Sequence, residues 1–270
     1  MNSRPIPTRR PPHLTPANLV GHNFSRNTFQ NVAVALVGYC PRPRSLDKYS
    51  SRNTVDQYFI HVPPANVQRC SHNGIEFLSI SHVYGGPVSS ALIEELAYYK
   101  IKYVLAYGLA GGLETRNLKM GDFYIVEKAL ALDGTTPHYT TDRLIASDEF
   151  LNTRIRELTR NIGFPNMTPV QAMTSDAIYR EYDEDLKYAR ENGCDIVNCD
   201  SSHLFAVSRD VGIKSTECGV ISDVAGGEGE EWQSTLSGML SASDNLTQDP
   251  LALAGKIAEF YVEVLMPELG

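Results

Sequence analysis

Residues Leu78–Tyr139 read LSISHVYGGPVSSALIEELAYYKIKYVLAYGLAGGLETRNLKMGDFYIVEKALALDGTTPHY. This order predicts a strand, a Gly-Gly-Pro turn, a helix, a strand, a Gly-rich turn and a strand, followed by an Asp-Gly-Thr turn. Apolar runs that close on glycine are typical of buried parallel strands. Because parallel strands end at one edge of a sheet, we expect the three turns to lie side by side and to face a ligand.

The rest of the chain continues the alternation of strands and helices. Val32–Gly38 and Thr216–Ile221 have the pattern of buried strands, whereas Phe150–Asn161, Ser201–Val211 and Leu251–Leu265 have that of helices. Such alternation predicts parallel βαβ units that bind ligands at the carboxyl ends of their strands. We therefore predict a single-domain α/β fold with a central mixed, mostly parallel, twisted sheet flanked by helices.

Length, charge and cysteine content exclude several classes of protein. The 270 residues suit one large domain, and the net charge of -8 argues against a nucleic-acid binder. No apolar run approaches the roughly 20 residues needed to span a membrane. The five cysteines lack the CxxC spacing of a zinc site. We expect a cytoplasmic protein with reduced thiols, no metal, no cofactor and no membrane or nucleic-acid partner.

The first residues differ in composition from the rest of the chain. Arg4, Arg9 and Arg10 stand among prolines, and a segment of this kind cannot form a packed core. We predict that residues 1–15 form a disordered arm and that residues 16–270 form the catalytic domain. A transit peptide is the alternative, although the prolines disfavour an amphipathic helix.

Several different short motifs follow one another along the chain. They are Ser81–Ser90, Gly108–Gly112, Gly121-Asp122, Asp133–Thr135, Thr174–Tyr179, Asn198–Ser202 and Val220–Asp223. No single motif is specific, but together they resemble the nucleoside phosphorylase superfamily over roughly residues 20 to 265. The branch holds uridine phosphorylase, hexameric purine nucleoside phosphorylase and methylthioadenosine nucleosidase. The resemblance implies a nucleoside-like small-molecule substrate and a homo-oligomer, either a dimer, a trimer or a hexamer.

The groups that bind phosphate in the phosphorylases are missing from this sequence. In the enzymes that the chain resembles, an Arg precedes the central glycine and a Ser or Thr follows it, which suits an anion. Ala106 and Leu109 occupy those positions here. The family's other phosphate loop falls on Tyr39–Arg44, where Arg42 and Arg44 are candidates for an anion contact and a solvated loop is the alternative. This loss favours hydrolysis over phosphorolysis.

Two aspartates are the candidates for binding the sugar and for catalysis. Cys199-Asp200 resembles a Met-Glu pair whose carboxylate accepts hydrogen bonds from sugar hydroxyls, and a helix N-cap is the alternative for Asp200. Ser222-Asp223 resembles the Ser-Asp that protonates a leaving purine base, and a turn or capping Asp is the alternative. The chain lacks the Gln-x-Arg of the uridine enzymes, which favours a purine.

Further candidates follow from the same resemblance. His22 matches, with an offset of one residue, a His that a neighbouring subunit contributes to the sugar site, and a surface His is the alternative. The other candidates for substrate binding are Tyr84, His82, Ala110, Gly111, Ile178, Tyr179 and Cys199. The Ala-Gly-Gly at residues 110–112 resembles the nucleosidases, yet Tyr39-Cys40 offers no carboxylate that would activate a water.

The expected function is therefore an enzyme acting on the N-glycosidic bond of a purine nucleoside or a related small molecule. Asp223 would act as the acid, and Asp200 as the acceptor for sugar hydroxyls. Two alternatives stay open: a repurposed member that converts or only binds a non-nucleoside small molecule, and a phosphorylase with an altered phosphate site. A purely structural oligomeric protein would have no need of these polar groups.

Overall fold

The computed structural model describes residues 12–53, 56–224, 233–234 and 249–269. Strands and helices alternate through most of this part of the chain. The strands are β1 Val34–Gly38, β2 Ser50–Asn53, β3 Val67–His72, β4 Ile75–Ile80, β5 Tyr103–Gly112, β6 Phe123–Ala131, β7 Leu144–Ala146, β8 Met167–Thr174, β9 Ile196–Asn198, β10 Lys214–Val224 and β11 Gln233–Ser234. The helices are α1 Pro16–Leu19, α2 Gly86–Tyr98, α3 Glu149–Ile162, α4 Asp183–Glu191, α5 Ser201–Val211 and α6 Pro250–Phe260.

The described strands form one mixed sheet. β5 pairs in parallel with β1 on one side and with β10 on the other, and β1 pairs in parallel with β4. β10 also pairs with β6, β6 with β8, β8 with β9, and β9 with β5. These five strands therefore close into a ring, whereas β1, β4, β3 and β2 extend the sheet beyond it. The α/β fold with a central mixed sheet is confirmed, and the closure of the ring is a finding of the structure.

Side chains that alternate along β5 enter two separate hydrophobic cores, because successive residues of a strand point to opposite faces. Ala106 and Ala110 belong to the core that contains Phe205 of α5. Tyr107 and Leu109 belong to or pack against the core that is covered by α6. Both faces of β5 are therefore shielded from water, and polar groups on this strand face the protein interior.

Capping residues fix the ends of the longer helices. Asp148 caps α3 by accepting a hydrogen bond from the backbone N–H of Leu151, and α3 ends at Gly163, whose φ is 66°. The two predicted helices that became α3 and α5 are confirmed. Of the predicted N-terminal arm, residues 1–11 lie outside the described residues, and His13 and Leu14 are exposed.

The glycine-rich segment at the end of β5 is part of a strand, so the predicted turn at this place is wrong. β5 continues to Gly112 because β10 pairs with it along its whole length. The two backbones come very close where Gly219 lies opposite Gly108. A Cβ on Gly219 would lie 2.7 Å from the carbonyl oxygen of Gly108 and would also clash with the hydroxyl of Tyr124. Glycine is therefore required at position 219, because the carbonyl of Gly108 and the side chain of Tyr124 leave no room for a Cβ.

We predict that Gly219→Ala lowers the free energy of unfolding by about 3 kcal/mol, because overpacking a dense core forces side chains and backbone to shift. Gly112→Ala is the matched control from the same pair of strands. Its Cβ would meet the side chains of Ile221 and Val224 at 3.6 and 3.7 Å, which is ordinary van der Waals contact. Urea unfolding of both variants measures the difference, and equal losses would refute the close-approach explanation.

Candidate active site

Three side chains converge on Gly108 from different elements. A Cβ on Gly108 would lie 3.4 Å from the Cβ of Tyr39, 3.7 Å from Oε1 of Glu217 and 3.9 Å from Oδ2 of Asp200. Tyr39 follows β1, Glu217 lies on β10, and Asp200 lies between β9 and α5. Two carboxyl groups therefore face the glycine at which the sequence predicted only a loss of anion-binding groups. We call Asp200 and Glu217 the carboxyl pair.

Glu217 is fully buried and is held by two neutral donors. The hydroxyl of Ser201 donates to Oε2 at 2.7 Å, and the side-chain amide of Asn198 donates to Oε1 at 3.2 Å. Asn198 itself accepts a hydrogen bond from the hydroxyl of Thr174 at 3.1 Å. Burial raises the pKa of Glu217, although both hydrogen bonds act in the opposite direction. The carboxyl group is thus fixed in position and has a high affinity for a proton.

Asp200 is only 5% exposed. It occupies the position before α5, but its side chain makes no capping hydrogen bond. Within the described part of the chain, this carboxyl group has no hydrogen-bond partner. Burial raises the pKa of Asp200, and the neighbouring Glu217 raises it further. The structure therefore does not support the alternative that Asp200 caps the helix.

The ionisable side chains around the carboxyl pair are tyrosines and cysteines. Those that interact with Glu217 electrostatically are Tyr39, Tyr124, Tyr261, Cys199 and Cys218. Burial raises the pKa of each of these groups, so each is neutral at pH 7. Among the described residues, no salt bridge reaches either member of the pair. Negative charge in this part of the site therefore belongs to the pair itself.

Tyr39 fills the space beside Gly108. Its side chain is buried, and its hydroxyl forms a hydrogen bond of 2.7 Å with the hydroxyl of Ser89 in α2. Burial raises the pKa of Tyr39, and the nearby Asp200 raises it further. A neutral phenol therefore stands where the resemblance implies a glycine that lets the backbone approach phosphate.

In the described part of the chain, neither candidate arginine forms a hydrogen bond or a salt bridge with the carboxyl pair. The guanidinium group of Arg42 donates to the hydroxyls of Ser79 and Ser50 at 2.9 and 2.8 Å and to the carbonyl of Leu46 at 2.7 Å. Arg44 is exposed at the start of a 3₁₀ turn. Arg42 is thus engaged within the protein, and the anion contact of either arginine stays a prediction.

Asp223 lies on β10 beside Gly111 of β5. The hydroxyl of Ser222 donates to Oδ1 of Asp223 at 2.6 Å and also approaches the carbonyl of Ala110 at 3.3 Å. A Cβ on Gly111 would lie 3.0 Å from Oδ2 of Asp223. Burial raises the pKa of the half-buried Glu181 to about 7, and Asp223 contributes to that shift. Asp223 therefore sits in a strand next to a second carboxyl group, and not in a turn or helix cap.

Two further candidates lie close to Asp200. Burial raises the pKa of Cys199 to about 12, with Asp200 contributing, so the thiol is protonated at neutral pH and is a poor nucleophile. Burial also raises the pKa of Tyr84 to about 12, with smaller contributions from Cys40 and Asp200. The ring of Tyr84 lies edge-on to that of His82, with 6.0 Å between the centroids. Both rings are exposed and lie at the outer side of the site.

Three candidates lie on the surface of the described chain. Ile178 and Tyr179 form an exposed 3₁₀ turn, in which Tyr179 is 91% exposed. His22 is exposed, and its ring lies 3.5 Å from the side chain of Asn23. The roles of Ile178, Tyr179 and His22 in substrate binding stay predictions.

Sequence reasoning missed Glu217 and Glu181. Glu217 had a signal, because it is the one charged residue in the otherwise uncharged strand Thr216–Ile221. A strand that is covered on both faces cannot expose a carboxylate to solvent. A buried charge is costly unless it is paired or hydrogen-bonded, so a Glu in such a strand indicates a specific environment. Glu181 lies in a polar stretch and had no comparable signal.

The described ranges contain neither a metal-binding cluster nor a membrane-spanning helix. No cluster of three or more His, Cys, Asp or Glu residues there has an arrangement that suits a metal ion. No helix in those ranges combines the length and the apolar character that a membrane span requires.

Comparison with known proteins gives a consistent set of similarities. The family model of the phosphorylase superfamily matches residues 66–248. An uncharacterized protein of Acanthamoeba polyphaga mimivirus is 31% identical over 87% of this chain and 92% of its own length. Uridine phosphorylase of Klebsiella aerogenes is 28% identical over 41% of this chain and 44% of its own. The structure of a 5′-methylthioadenosine/S-adenosyl homocysteine nucleosidase of Campylobacter jejuni has a TM-score of 0.63 at 15% identity, covering 88% of this chain and 98% of that one.

We predict that Glu217→Gln reduces the pH dependence of stability. A carboxyl group whose pKa is raised by folding stabilises the folded state while it is protonated. This stabilisation is complete below the ordinary pKa of 4.5 and is lost as the pH rises through the raised value. Between these limits, the wild type should lose more free energy of unfolding than the variant, by roughly 1–3 kcal/mol.

Urea unfolding at a series of pH values measures this difference. Parallel pH curves for the wild type and Glu217→Gln would show that folding does not shift the titration of Glu217.

Proposed function

The chain belongs to the phosphorylase superfamily, and from this membership we propose that it hydrolyses the N-glycosidic bond of a purine nucleoside or a related small molecule. The family and its structural neighbours support glycosidic-bond chemistry in general. The neighbour from Campylobacter jejuni is named a nucleosidase, whereas the relative from Klebsiella aerogenes is named a phosphorylase. The choice between the two reactions depends on what binds next to Gly108.

The observation that carries the proposal is the carboxyl pair at Gly108. A phosphate bound there would meet Asp200 and Glu217, both within 4 Å of the same point. A phosphate oxygen and an ionised carboxylate about 4 Å apart repel each other by about 4 kcal/mol in a partly buried site. Water is neutral and donates hydrogen bonds to carboxyl oxygens, so the same groups favour it. The pair therefore supports hydrolysis over phosphorolysis.

Asp223 is proposed as the acid that protonates the leaving base. A purine leaves readily only when the negative charge that develops on it is neutralised, and a positioned carboxylic acid can supply the proton. Glu181 lies close enough to interact with Asp223, and burial raises the pKa of Glu181 to about 7. Glu181 can therefore hold a proton close to Asp223 at neutral pH.

Asp200, Tyr84, Ile178 and Tyr179 are proposed to bind the substrate, and an exposed patch around the last two is proposed to assemble the enzyme. Asp200 has an oxygen free to accept a hydrogen bond from a sugar hydroxyl, and Tyr84 lies near it on the outer side. Ile178, Tyr179 and Tyr182 are exposed apolar or aromatic side chains on consecutive turns. Such a patch supports the proposal of a homo-oligomer.

We predict that the protein releases free base from at least one purine nucleoside, at a rate that does not change when phosphate or arsenate is added. The assay incubates the full-length protein with a panel of nucleosides and follows the free base by chromatography. Release that depends on phosphate would establish a phosphorylase with an altered phosphate site. The absence of release from every nucleoside would favour a repurposed member of the family.

We predict that Asp223→Asn lowers kcat by about 100-fold or more, because the amide cannot donate the proton that a general acid supplies. Asp142→Asn is the control, since Asp142 is an exposed partner of Arg209 at 2.9 Å. Steady-state kinetics and urea unfolding of both variants separate a loss of catalysis from a loss of folding. Full turnover by Asp223→Asn would show that the acid is another group.

A further inference from the structure

Hydrolysis needs a group that takes a proton from the attacking water. The resemblance places no such group in this chain, because Tyr39 and Cys40 stand where the nucleosidases carry a carboxylate. Burial raises the pKa of both side chains, so neither is ionised at neutral pH. The base must therefore come from another part of the site.

The carboxyl pair has the geometry that this task requires. Oδ2 of Asp200 and Oε1 of Glu217 both lie within 4 Å of the point that a Cβ on Gly108 would occupy, and we call the space left there by the missing side chain the gap. Both oxygens of Glu217 already accept hydrogen bonds, from Ser201 and Asn198. The carboxyl group of Asp200 has no such partner in the described part of the chain. A water in the gap would therefore bind to Asp200, with Glu217 fixed beside it.

The groups around the pair do not compete for its proton. The ionisable side chains that interact electrostatically with the pair are Tyr39, Cys40, Tyr84, Tyr124, Cys199, Cys218 and Tyr261. All of them stay protonated at neutral pH. Two adjacent buried carboxyl groups cannot both ionise easily, so such a pair keeps one proton over a wide pH range.

Resting on the hydrolysis proposed above, we propose that Asp200 is the base for the attacking water and that Glu217 is the positioning residue beside it. Glu217 carries the negative charge of the resting pair, because Ser201 and Asn198 donate hydrogen bonds to it, and Asp200 acts as the base once it too has lost its proton. Water gives a proton to Asp200 while its oxygen forms a bond to the anomeric carbon of the sugar. The carbon–nitrogen bond breaks, and its electron pair goes to the base, which receives a proton from Asp223.

The enzyme then returns to its starting state through solvent. The carboxyl pair releases its extra proton to water, and Asp223 takes one up. The second oxygen of Asp200 remains for a sugar hydroxyl, so the role in sugar binding is compatible with the role as base.

The first experiment measures kcat/KM against pH for the wild type and three variants. Asp200→Asn should lose about 100-fold or more, because it removes the base. Glu217→Gln should shift the acid limb of the profile by about one pH unit or more to lower pH, because Asp200 then ionises without a charged neighbour. An unchanged profile for Glu217→Gln, with hydrolysis still observed, would overturn the inference and leave the proposed function intact.

Glu95→Gln is the matched control for the loss of a buried carboxyl group. Glu95 is buried on α2 and accepts a hydrogen bond from the backbone N–H of Ile60 at 3.1 Å. Burial raises its pKa to about 7. This variant should keep the pH profile of the wild type. A shift as large as that of Glu217→Gln would assign the effect to general desolvation and would overturn the inference.

Gly108→Ala tests the gap itself. The added methyl group would make ordinary contacts of 3.4 to 3.9 Å with Tyr39, Glu217 and Asp200, so the variant should fold. It should nevertheless lose about 100-fold in kcat because the methyl group displaces the water. Full activity of a folded Gly108→Ala would show that water does not attack from this gap.

A titration without substrate makes the pair testable apart from turnover. In carbon NMR spectra of the full chain with labelled Asp and Glu carboxyl groups, the pair should titrate in two steps separated by more than about one pH unit. In Glu217→Gln, Asp200 should titrate in a single step, at a lower pH than the second step of the wild-type pair. Ionisation of both Asp200 and Glu217 below about pH 5 would overturn the inference that the two carboxyl groups interact. Base release that depends on phosphate would overturn both the hydrolysis and the role of Asp200 as base.

Discussion

The parallel pairing of β5 with β10 is the constraint on which the rest of the site depends. It runs from Tyr103 opposite Lys214 to Gly112 opposite Val224, and Gly219 has no room for a Cβ because the phenol of Tyr124 and the carbonyl of Gly108 lie against it. The same register sets Glu217 opposite Ala106 and Asp223 beside Gly111. Glu217 and Asp223 therefore hold their places because of one strand pairing, and the glycines of β5 leave the space in front of them.

Buried carboxyl groups are costly, and in the described part of the chain the carboxyl pair has no salt bridge to a cation. Ser201 and Asn198 hold Glu217 by neutral hydrogen bonds, while the carboxyl group of Asp200 is left without a partner. A buried polar group without a hydrogen bond costs about 1–3 kcal/mol, so an arrangement selected for stability alone would replace it. Retention of the pair is understandable when a ligand or a water completes its hydrogen bonds.

Much of the fold was predictable, because helices and buried strands have apolar patterns that can be read locally. The prediction was wrong at Gly108, where the sequence favoured a turn and the structure has a strand. Glycine serves both purposes, since it tolerates turn conformations and also permits close backbone approach. Only the strand that lies opposite distinguishes the two, and that strand begins about a hundred residues later in the chain. The resemblance pointed to Asp200 and Asp223, but it contained no equivalent of Glu217.

The sequence by itself determined the order of the elements, the resemblance to the superfamily and the loss of phosphate-binding groups at Ala106 and Leu109. These are properties of residue type and spacing along the chain. Only the tertiary structure decided that two carboxyl groups face the gap instead. Asp200 and Glu217 belong to different elements, and their affinity for protons depends on burial and on the distance between them. Neither quantity exists until β5, β10 and the start of α5 come together.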